Sequence, residues 1–192
     1  ILAEGKRVFF LPDFNLGINT ARKIGLPNNL IGTIRRNNDA ENASSDIKLF
    51  LWNGFCNVHT RFTIMDVRKA KTSNPYGKIF VHPECLQDVV DESDFVGSTS
   101  EIIKEVENTE DGLTVFIGTE MNLVNRLKHE NPNISVVPLR ESGCMNMNKI
   151  SAEKLAKTLS SLKIENNEFE VDVLAPEKDE AKKALTAMID VV

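Results

Sequence analysis

Short, continuous runs of apolar residues recur along the chain, and each run ends in small or polar residues before a segment with helical periodicity. Continuous runs, unlike alternating ones, indicate strands that are covered on both faces. The predicted strands are Val8–Leu11, Leu49–Trp52, Ile79–Val81, Phe95–Val96, Leu113–Ile117 and Ile134–Val137. Because strands that alternate with helices form parallel sheets, the pattern predicts an α/β protein with parallel sheets.

Several helices have boundaries that can be read from the sequence. Thr63 and Asp66 form a box-like helix start, and the Asn74-Pro75 turn ends that helix. Ser151 is suited to cap a second helix, and Pro176 to open a third. Their apolar stripes consist of Leu155, Leu159 and Leu162, and of Ala181, Ala184, Leu185, Met188, Ile189 and Val192. We predict that both stripes are core faces.

One stretch, Pro27 to Asp46, interrupts this rhythm because it is rich in Asn, Asp, Ser and Arg. Such a composition is typical of a polar surface loop. A basic recognition patch is the alternative for Arg35-Arg36, but Asp39 and Glu41 follow so closely that a solvated loop is favoured. We therefore predict a surface loop over about residues 27–46.

The charge balance restricts the partners. The chain carries 23 Lys and Arg against 28 Asp and Glu, a formal net charge of −5, and such a chain has no excess cations to displace counterions from phosphates. This argues against nucleic-acid and membrane partners. No apolar window approaches the roughly 18 residues of a membrane span, and the first residues lack a signal peptide, so we predict a cytoplasmic protein. Because residue 1 is Ile and not Met, we expect the chain to begin inside a longer one.

The three cysteines, Cys56, Cys85 and Cys144, are too few and too widely spaced for a disulfide framework. Taken alone, they favour three buried thiols that behave as small apolar side chains. His59 follows Cys56 by three residues, so the two could share a metal ion, although such a pair is a weak signal. From the residues alone, both interpretations stay open.

A loop after one predicted strand, His82-Pro83-Glu84-Cys85, brings an imidazole, a carboxylate and a thiol within four residues. His82 and Glu84 could supply acid–base groups near neutral pH. The alternative is a polar strand end without chemistry. The remaining histidine, His129, falls in a helix-like run, where we expect it to face solvent.

Gly97-Ser98-Thr99 follows a predicted strand and opens the predicted helix Glu101–Val106. Free backbone N–H groups, two hydroxyls and the positive end of a helix suit a phosphate or a carboxylate. An ordinary N-cap needs the same residues, so the motif supports an anion site and a helix cap about equally. The sequence has neither a dinucleotide-binding fingerprint nor a Walker A motif, which weakens nicotinamide-cofactor and P-loop interpretations.

Taken together, six motifs resemble the quinolinate synthases, the NadA family, in the family's order from residue 8 to about residue 150. The motifs are Pro12-Asp13-Phe14-Asn15-Leu16-Gly17, Trp52-Asn53-Gly54-Phe55-Cys56-Asn57-Val58-His59, His82-Pro83-Glu84-Cys85, Val96-Gly97-Ser98-Thr99-Ser100, Gly118-Thr119-Glu120 and Cys144-Met145-Asn146-Met147. The resemblance implies an enzyme that condenses iminoaspartate with dihydroxyacetone phosphate to quinolinate, releasing phosphate and two waters, in de novo NAD biosynthesis. It also implies L-aspartate oxidase or aspartate dehydrogenase as the partner that supplies iminoaspartate.

The resemblance further implies three similar three-layer α/β/α domains, in pseudo-threefold arrangement, around a 4Fe-4S cluster held by one Cys from each domain. The iron without a protein ligand is expected to act as a Lewis acid on the substrate. The resemblance assigns Cys56 and Cys144 as cluster ligands and leaves Cys85 outside the cluster. The expected catalytic residues, which also contact substrate, are His59, His82 and Glu84. The expected substrate-anion contacts are Ser98 and Thr99.

The family's first domain has no counterpart in this sequence. Residues 1–75 therefore resemble the later part of the second domain, with an insertion at about 27–46, and residues 76–192 resemble the third domain and a C-terminal helix. We expect the third cluster ligand to come from the missing domain and this chain alone to be inactive. Two alternatives are a cluster-free, non-catalytic α/β module that binds anions and a two-cysteine redox or metal-sensing protein.

Overall fold

A computed structural model describes residues 1–35, 40–41, 44–164 and 168–190. The chain divides into two compact units, Ile1–Met145 and Asn146–Val192. The first unit contains two four-stranded sheets. Within the described ranges, no helix is long and apolar enough to cross a membrane.

The first sheet has three parallel strands and one short antiparallel strand at its edge. Its strands are β1 (Val8–Phe10), β2 (Ile31–Ile34), β3 (Ala40–Glu41) and β4 (Leu49–Trp52), in the order β1-β4-β2-β3. Helix α1 (Phe14–Lys23) follows β1 and buries Ala21 against Leu49 and Leu51. Leu51 is fully buried because β4 is the strand that has parallel neighbours on both sides.

The second sheet is parallel throughout. Its strands are β5 (Lys78–Val81), β6 (Phe95–Val96), β7 (Thr114–Gly118) and β8 (Ser135–Pro138), in the order β6-β5-β7-β8. Its helices are α2 (Ile64–Ser73), α3 (Gln87–Asp91), α4 (Thr99–Glu107) and α5 (Met121–Glu130). The six strands predicted from apolar runs are all present, and the predicted α/β class with parallel sheets is confirmed.

Both faces of the second sheet are covered, which explains why its strands are continuously apolar. On one face, Ile79 and Val81 pack in a cluster with Val67 of α2 and Val89 of α3. On the other face, a second cluster joins β5 and β7 to helices α4 and α5. The members of this second cluster are Phe80, Ile102, Val106, Val115, Ile117, Val124, Leu127, Ile134 and Val136. The arrangement is that of a three-layer α/β/α domain.

The prediction of a surface loop over residues 27–46 is wrong for Ile31–Ile34 and Ala40–Glu41, which form strands, whereas residues 44–46 are an exposed turn. Ile31–Ile34 forms β2, which pairs in parallel with β4, and Ala40–Glu41 pairs with it in antiparallel. Four residues suffice for this strand because the ladder to β4 satisfies its backbone polar groups. Residues 36–39, 42 and 43 of the predicted loop, including Arg36 of the alternative basic patch, lie outside the described residues.

The second unit contains helices α6 (Ala152–Lys163) and α7 (Glu177–Ile189). Ser151 caps α6 as predicted, because its hydroxyl accepts a hydrogen bond from the Lys154 N–H at 3.2 Å. Pro176 occupies the N-cap of α7. The apolar stripes are exposed in the structure, with Leu162 at 63% and Ile189 at 69%, so the prediction that they are core faces is wrong for the described residues. Val192, the last residue of the predicted stripe, lies outside them.

Two phenylalanines that differ in burial test how much of the stability resides in the core around the second sheet. Phe62 is fully buried and Phe55 is 63% exposed. We expect Phe62→Ala to lower the free energy of unfolding by about 3–5 kcal/mol, because it leaves a cavity. Phe55→Ala should change it by about 0.5 kcal/mol or less. Urea unfolding followed by the fluorescence of Trp52 measures both, and equal losses would contradict the assignment of the core.

Candidate functional site

The strand register of the second sheet brings several motif residues to one edge. Val81, the last residue of β5, pairs with Val96 of β6 and with Gly118 of β7. The residues that follow these strands, His82, Gly97 and Thr119, therefore lie at the same carboxyl edge, where parallel sheets bind ligands.

His59 is the centre of a buried hydrogen-bond network at this edge. Its Nδ1 lies 2.8 Å from Oε2 of Glu84, and its Nε2 lies 3.0 Å from Oγ1 of Thr119. An ionised carboxylate can only accept, so Nδ1 of His59 donates to Glu84; in the neutral form of the ring, Nε2 accepts from the Thr119 hydroxyl. The ring of His82 stacks on that of His59, with centroids 4.3 Å apart and planes 15° apart. The structure thus brings together the three predicted catalytic side chains.

The electrostatics of the network favour an ionised Glu84 and a neutral His82. The hydrogen bond from His59 lowers the pKa of Glu84, and a further hydrogen bond from Cys56 acts in the same direction. Burial, followed by the charge of His59, lowers the pKa of His82 to about 4. His82 Nδ1 accepts from the backbone N–H of Glu84 at 3.3 Å, which leaves the proton of the neutral ring on Nε2. At neutral pH the site therefore offers a carboxylate acceptor beside an imidazole N–H donor.

Cys56 lies next to this network on the loop that follows β4. Its Sγ, a ring nitrogen of His59 and a carboxylate oxygen of Glu84 lie within 4.8 Å of one another, so the three could hold a metal ion. Burial raises the pKa of the Cys56 thiol. A Cβ on Gly54 would overlap the carbonyl oxygen of Pro12, so the close approach of the two loops requires glycine there.

Cys144 lies on a loop that is tied to the Cys56 loop. The hydroxyl of Ser142 is 3.5 Å from the carbonyl oxygen of Val58, and the carbonyl of Ser142 accepts from the Met121 N–H at 3.1 Å. Cys56 and Cys144 are both partly buried, and both pack against the hydrophobic cluster that contains Val58. The two thiols therefore come from neighbouring loops.

Cys85 differs from the other two cysteines because it is fully buried in the same cluster. Its Sγ lies 3.8 Å from the carbonyl oxygen of Gly118, and burial strongly raises the pKa of its thiol. A protonated thiol inside an apolar cluster behaves as a small hydrophobic side chain. Among the three cysteines, Cys85 therefore fits the interpretation as a buried, apolar-like thiol.

The structure shows Ser98 as the N-cap of α4. Its Oγ accepts from the Glu101 N–H at 3.4 Å, and its own N–H donates to the Glu101 carboxylate at 2.7 Å. Ser98 and Thr99 are exposed. Gly97 and Ser98 line a cavity of about 530 Å³, together with Leu16 and Asn19 of α1. An incoming anion would have to displace the Glu101 carboxylate from the Ser98 N–H.

Three site residues were not singled out from the sequence: Asp13, Thr119 and Glu120. Thr119 bonds His59, whereas Asp13 and Glu120 accept hydrogen bonds from the backbone N–H groups of Cys56 and Cys144. All three lie within three residues of a strand end and within motifs that the sequence showed, which was a usable signal. Their partners are 24 to 60 residues away in sequence, so the contacts depend on strand register. His129 is exposed, as predicted.

Comparison with known proteins identifies the family of this chain. The family model described as quinolinate synthetase A protein (NadA) matches residues 1–190. Curated relatives named quinolinate synthase include one from Listeria monocytogenes, 37% identical over 97% of this chain, and one from a Geobacillus species, 38% identical over 97%. A third, from Halalkalibacterium halodurans, is 37% identical over 97%. In all three cases the chain spans about half of the relative, 52% of its length. The chain therefore belongs to the quinolinate synthetase A (NadA) family.

Proposed function

We propose that the protein containing this chain is a quinolinate synthase that condenses iminoaspartate with dihydroxyacetone phosphate to form quinolinate for NAD biosynthesis. The observation that carries the proposal is the network of His59, Glu84 and Thr119 with His82 stacked on it, next to the Cys56 thiol. Membership of the family supports the same activity. Because the chain spans about half of its relatives, the activity is proposed for the complete protein.

We propose that Cys56 and Cys144 bind a 4Fe-4S cluster and that a third thiolate comes from outside residues 1–192. The donor set fits, because thiolates are the usual ligands of such clusters and these two partly buried thiols lie on loops joined by a hydrogen bond. When bound, the cluster would supply an iron without a protein ligand as a Lewis acid. Cys85 has no role in this proposal, since it is buried in the hydrophobic cluster.

The side chains of this chain supply proton transfer and orientation. The Glu84 carboxylate is held by His59 and can take up a proton released during condensation and loss of water. Neutral His82 can donate its Nε2 proton to a substrate oxygen. Thr119 holds His59 in the tautomer that donates to Glu84, so it acts as a positioning residue.

The anionic groups of both substrates need a binding region with hydroxyls and backbone donors. We propose that Ser98 and Thr99 bind one of these groups at the start of α4, after the Glu101 carboxylate moves away from the Ser98 N–H. The cavity of about 530 Å³ beside Ser98 provides the room. The alternative of a non-catalytic anion-binding module shares this feature but does not require the His59–Glu84 network.

The remaining assignments are proposed with the function. We propose that the complete enzyme acts in the cytoplasm, and that L-aspartate oxidase or aspartate dehydrogenase supplies its iminoaspartate. We also propose that residues 1–75 belong to one α/β/α domain and residues 76–192 to the next. The net charge of −5 supports partners other than nucleic acid.

The activity itself is tested with two samples treated identically. We expect the complete protein, reconstituted anaerobically with iron and sulfide, to convert iminoaspartate and dihydroxyacetone phosphate to quinolinate, detected by chromatography. We expect the 192-residue chain alone to form none, because it supplies two of the three proposed thiolates. Complete protein that holds iron but produces no quinolinate would refute the proposed function. Turnover by the chain alone would refute the need for an outside ligand.

We expect alanine substitutions of the three cysteines in the complete protein to have different effects on its iron and sulfide content. Cys56→Ala and Cys144→Ala should lose most of the iron and sulfide, because a methyl group cannot replace a thiolate ligand. Cys85→Ala should retain both, since it removes a side chain of the hydrophobic cluster. Iron and sulfide content and the visible absorption of anaerobically purified protein are the measurements. The ligand assignment is wrong if Cys85→Ala loses iron while Cys144→Ala keeps it.

Replacing the carboxylate by its isosteric amide tests the acid–base role. Glu84→Gln keeps the size of the side chain and an oxygen that can accept from His59, but it removes the charge. We expect turnover to fall by about 10²–10⁴-fold, the usual contribution of a positioned acid or base, with the iron content unchanged. The matched control is Glu92→Gln, which changes an exposed carboxylate paired with Lys71 at 2.8 Å. Turnover of Glu84→Gln near that of the control would reduce Glu84 to a structural residue.

A further inference from the structure

We propose that Asp13 and Glu120 are matched positioning residues, each of which caps a helix and at the same time fixes the backbone of one cysteine loop. Asp13 holds Cys56 and Glu120 holds Cys144. The inference rests on the proposed function only in treating these two cysteines as metal ligands. The contacts themselves are independent of it.

Asp13 lies between the end of β1 and the start of α1. One carboxylate oxygen accepts from the Leu16 N–H at 2.8 Å, which caps the helix. The other accepts from the Cys56 N–H at 2.7 Å, across 43 residues of sequence. The Cys56 loop follows β4, the parallel neighbour of β1, so the two strands present the acid and the cysteine at the same edge.

Glu120 repeats this arrangement in the second sheet. It lies between the end of β7 and the start of α5, and its Oε2 accepts from the Asn122 N–H at 2.7 Å. Its Oε1 accepts from the side-chain amide of Asn122 at 3.1 Å and from the Cys144 N–H at 3.4 Å, a longer bond than that between Asp13 and Cys56. The Cys144 loop follows β8, the parallel neighbour of β7. In both sheets, a carboxylate between a strand and the following helix caps that helix. The same carboxylate bonds a cysteine on the loop after the adjacent strand.

Helix capping alone does not account for these two acids. The caps of α2 and α4 are hydroxyls, those of Thr63 and Ser98, and their reciprocal hydrogen bonds stay within the first turn of their own helix. A hydroxyl would satisfy the same N–H groups without burying a charge. Asp13 is 2% exposed and Glu120 is 7% exposed, and burying a carboxylate is costly unless it is hydrogen-bonded. The second oxygen of Asp13 offsets that cost by bonding the Cys56 loop. The second oxygen of Glu120 does so by bonding both the Asn122 side chain and the Cys144 loop.

The consequence is separate control of the two thiols. Each carboxylate fixes the backbone from which one thiol projects and places a negative charge beside that residue. Removing Asp13 should free the Cys56 loop and leave the Cys144 loop in place, and removing Glu120 should do the reverse. A residue that only stabilised the fold would affect both loops together.

The test measures the alkylation rate of each cysteine by iodoacetamide in the complete protein prepared without iron, with peptide mass spectrometry to separate the sites. We expect Asp13→Ala to accelerate alkylation of Cys56 by about tenfold or more, the effect of losing a hydrogen bond to a charged group, with Cys144 unchanged. Glu120→Ala should accelerate Cys144 selectively, and by a smaller factor because its bond is longer. Asp13→Asn retains one acceptor oxygen and should give an intermediate rate at Cys56.

Two controls distinguish release of a single cysteine loop from unfolding of the whole protein. Cys85, which is fully buried, reports global opening within the same molecules. Thr63→Ala removes a helix cap whose reciprocal hydrogen bonds stay within the first turn of α2, and it should leave the Cys56 and Cys144 rates unchanged. Selective acceleration with a constant Cys85 rate supports the proposal, whether or not the protein makes quinolinate. Acceleration of all three thiols together, or no acceleration at the partnered thiol in Asp13→Ala and Asp13→Asn, overturns it.

Discussion

The hydrogen bond between His59 and Glu84 is the contact on which the rest of the site depends. It joins the loop after β4 of the first sheet to the loop after β5 of the second, so it links the edges of the two sheets. Asn19 of α1 reinforces the link, since its side-chain amide donates to the carbonyl oxygens of Pro83 and Cys85 at 2.9 and 3.0 Å. A partly buried hydrogen bond to a charged group contributes about 1.5–3 kcal/mol, more than an ordinary one. The site is therefore also a structural joint between the sheets.

This joint makes the fold sensitive to acid in a direction that the pKa shifts define. The pKa of His82 is lowered from 6.5 to about 4. Between pH 6.5 and about 4, His82 is therefore protonated in the unfolded chain but neutral in the folded protein. Its contribution to stability therefore declines as the pH falls from 6.5 towards 4. Glu84 has a lowered pKa and loses its stabilising contribution as the pH falls below 4.5. Asp13 acts in the opposite direction, because burial raises its pKa and ionisation at neutral pH opposes folding.

How far the sequence predicts the fold depends on which interactions are local. Continuous apolar runs such as Ile79–Val81 identify strands because both sheet faces are covered, and Thr63 with Asp66 identifies a helix start because the capping box closes within one turn. Strand β2 escaped prediction because Ile31–Ile34 is short and lies in a polar stretch, and its pairing with β4 depends on distant residues. Leu162 belongs to an apolar stripe with helical periodicity but is exposed. Periodicity identifies an amphipathic helix, but it does not identify the surface that packs against its apolar face.

The candidate site shows the same limit. His82 and Glu84 could be chosen from sequence because they share one loop, but the roles of Asp13 and Glu120 depend on which strands are neighbours. The three cysteines have the same side chain but differ in burial, and burial decides which of them can bind a metal. A thiol that binds a metal must lose its proton and must be accessible to the ion. Apolar neighbours enclose Cys85, keep an ion away from it and raise the pKa of its thiol more strongly than partial burial raises that of Cys56. Cys56 and Cys144 project from loops at the surface of the same cluster, each with its backbone N–H bonded to a buried carboxylate, and so combine access with a fixed direction.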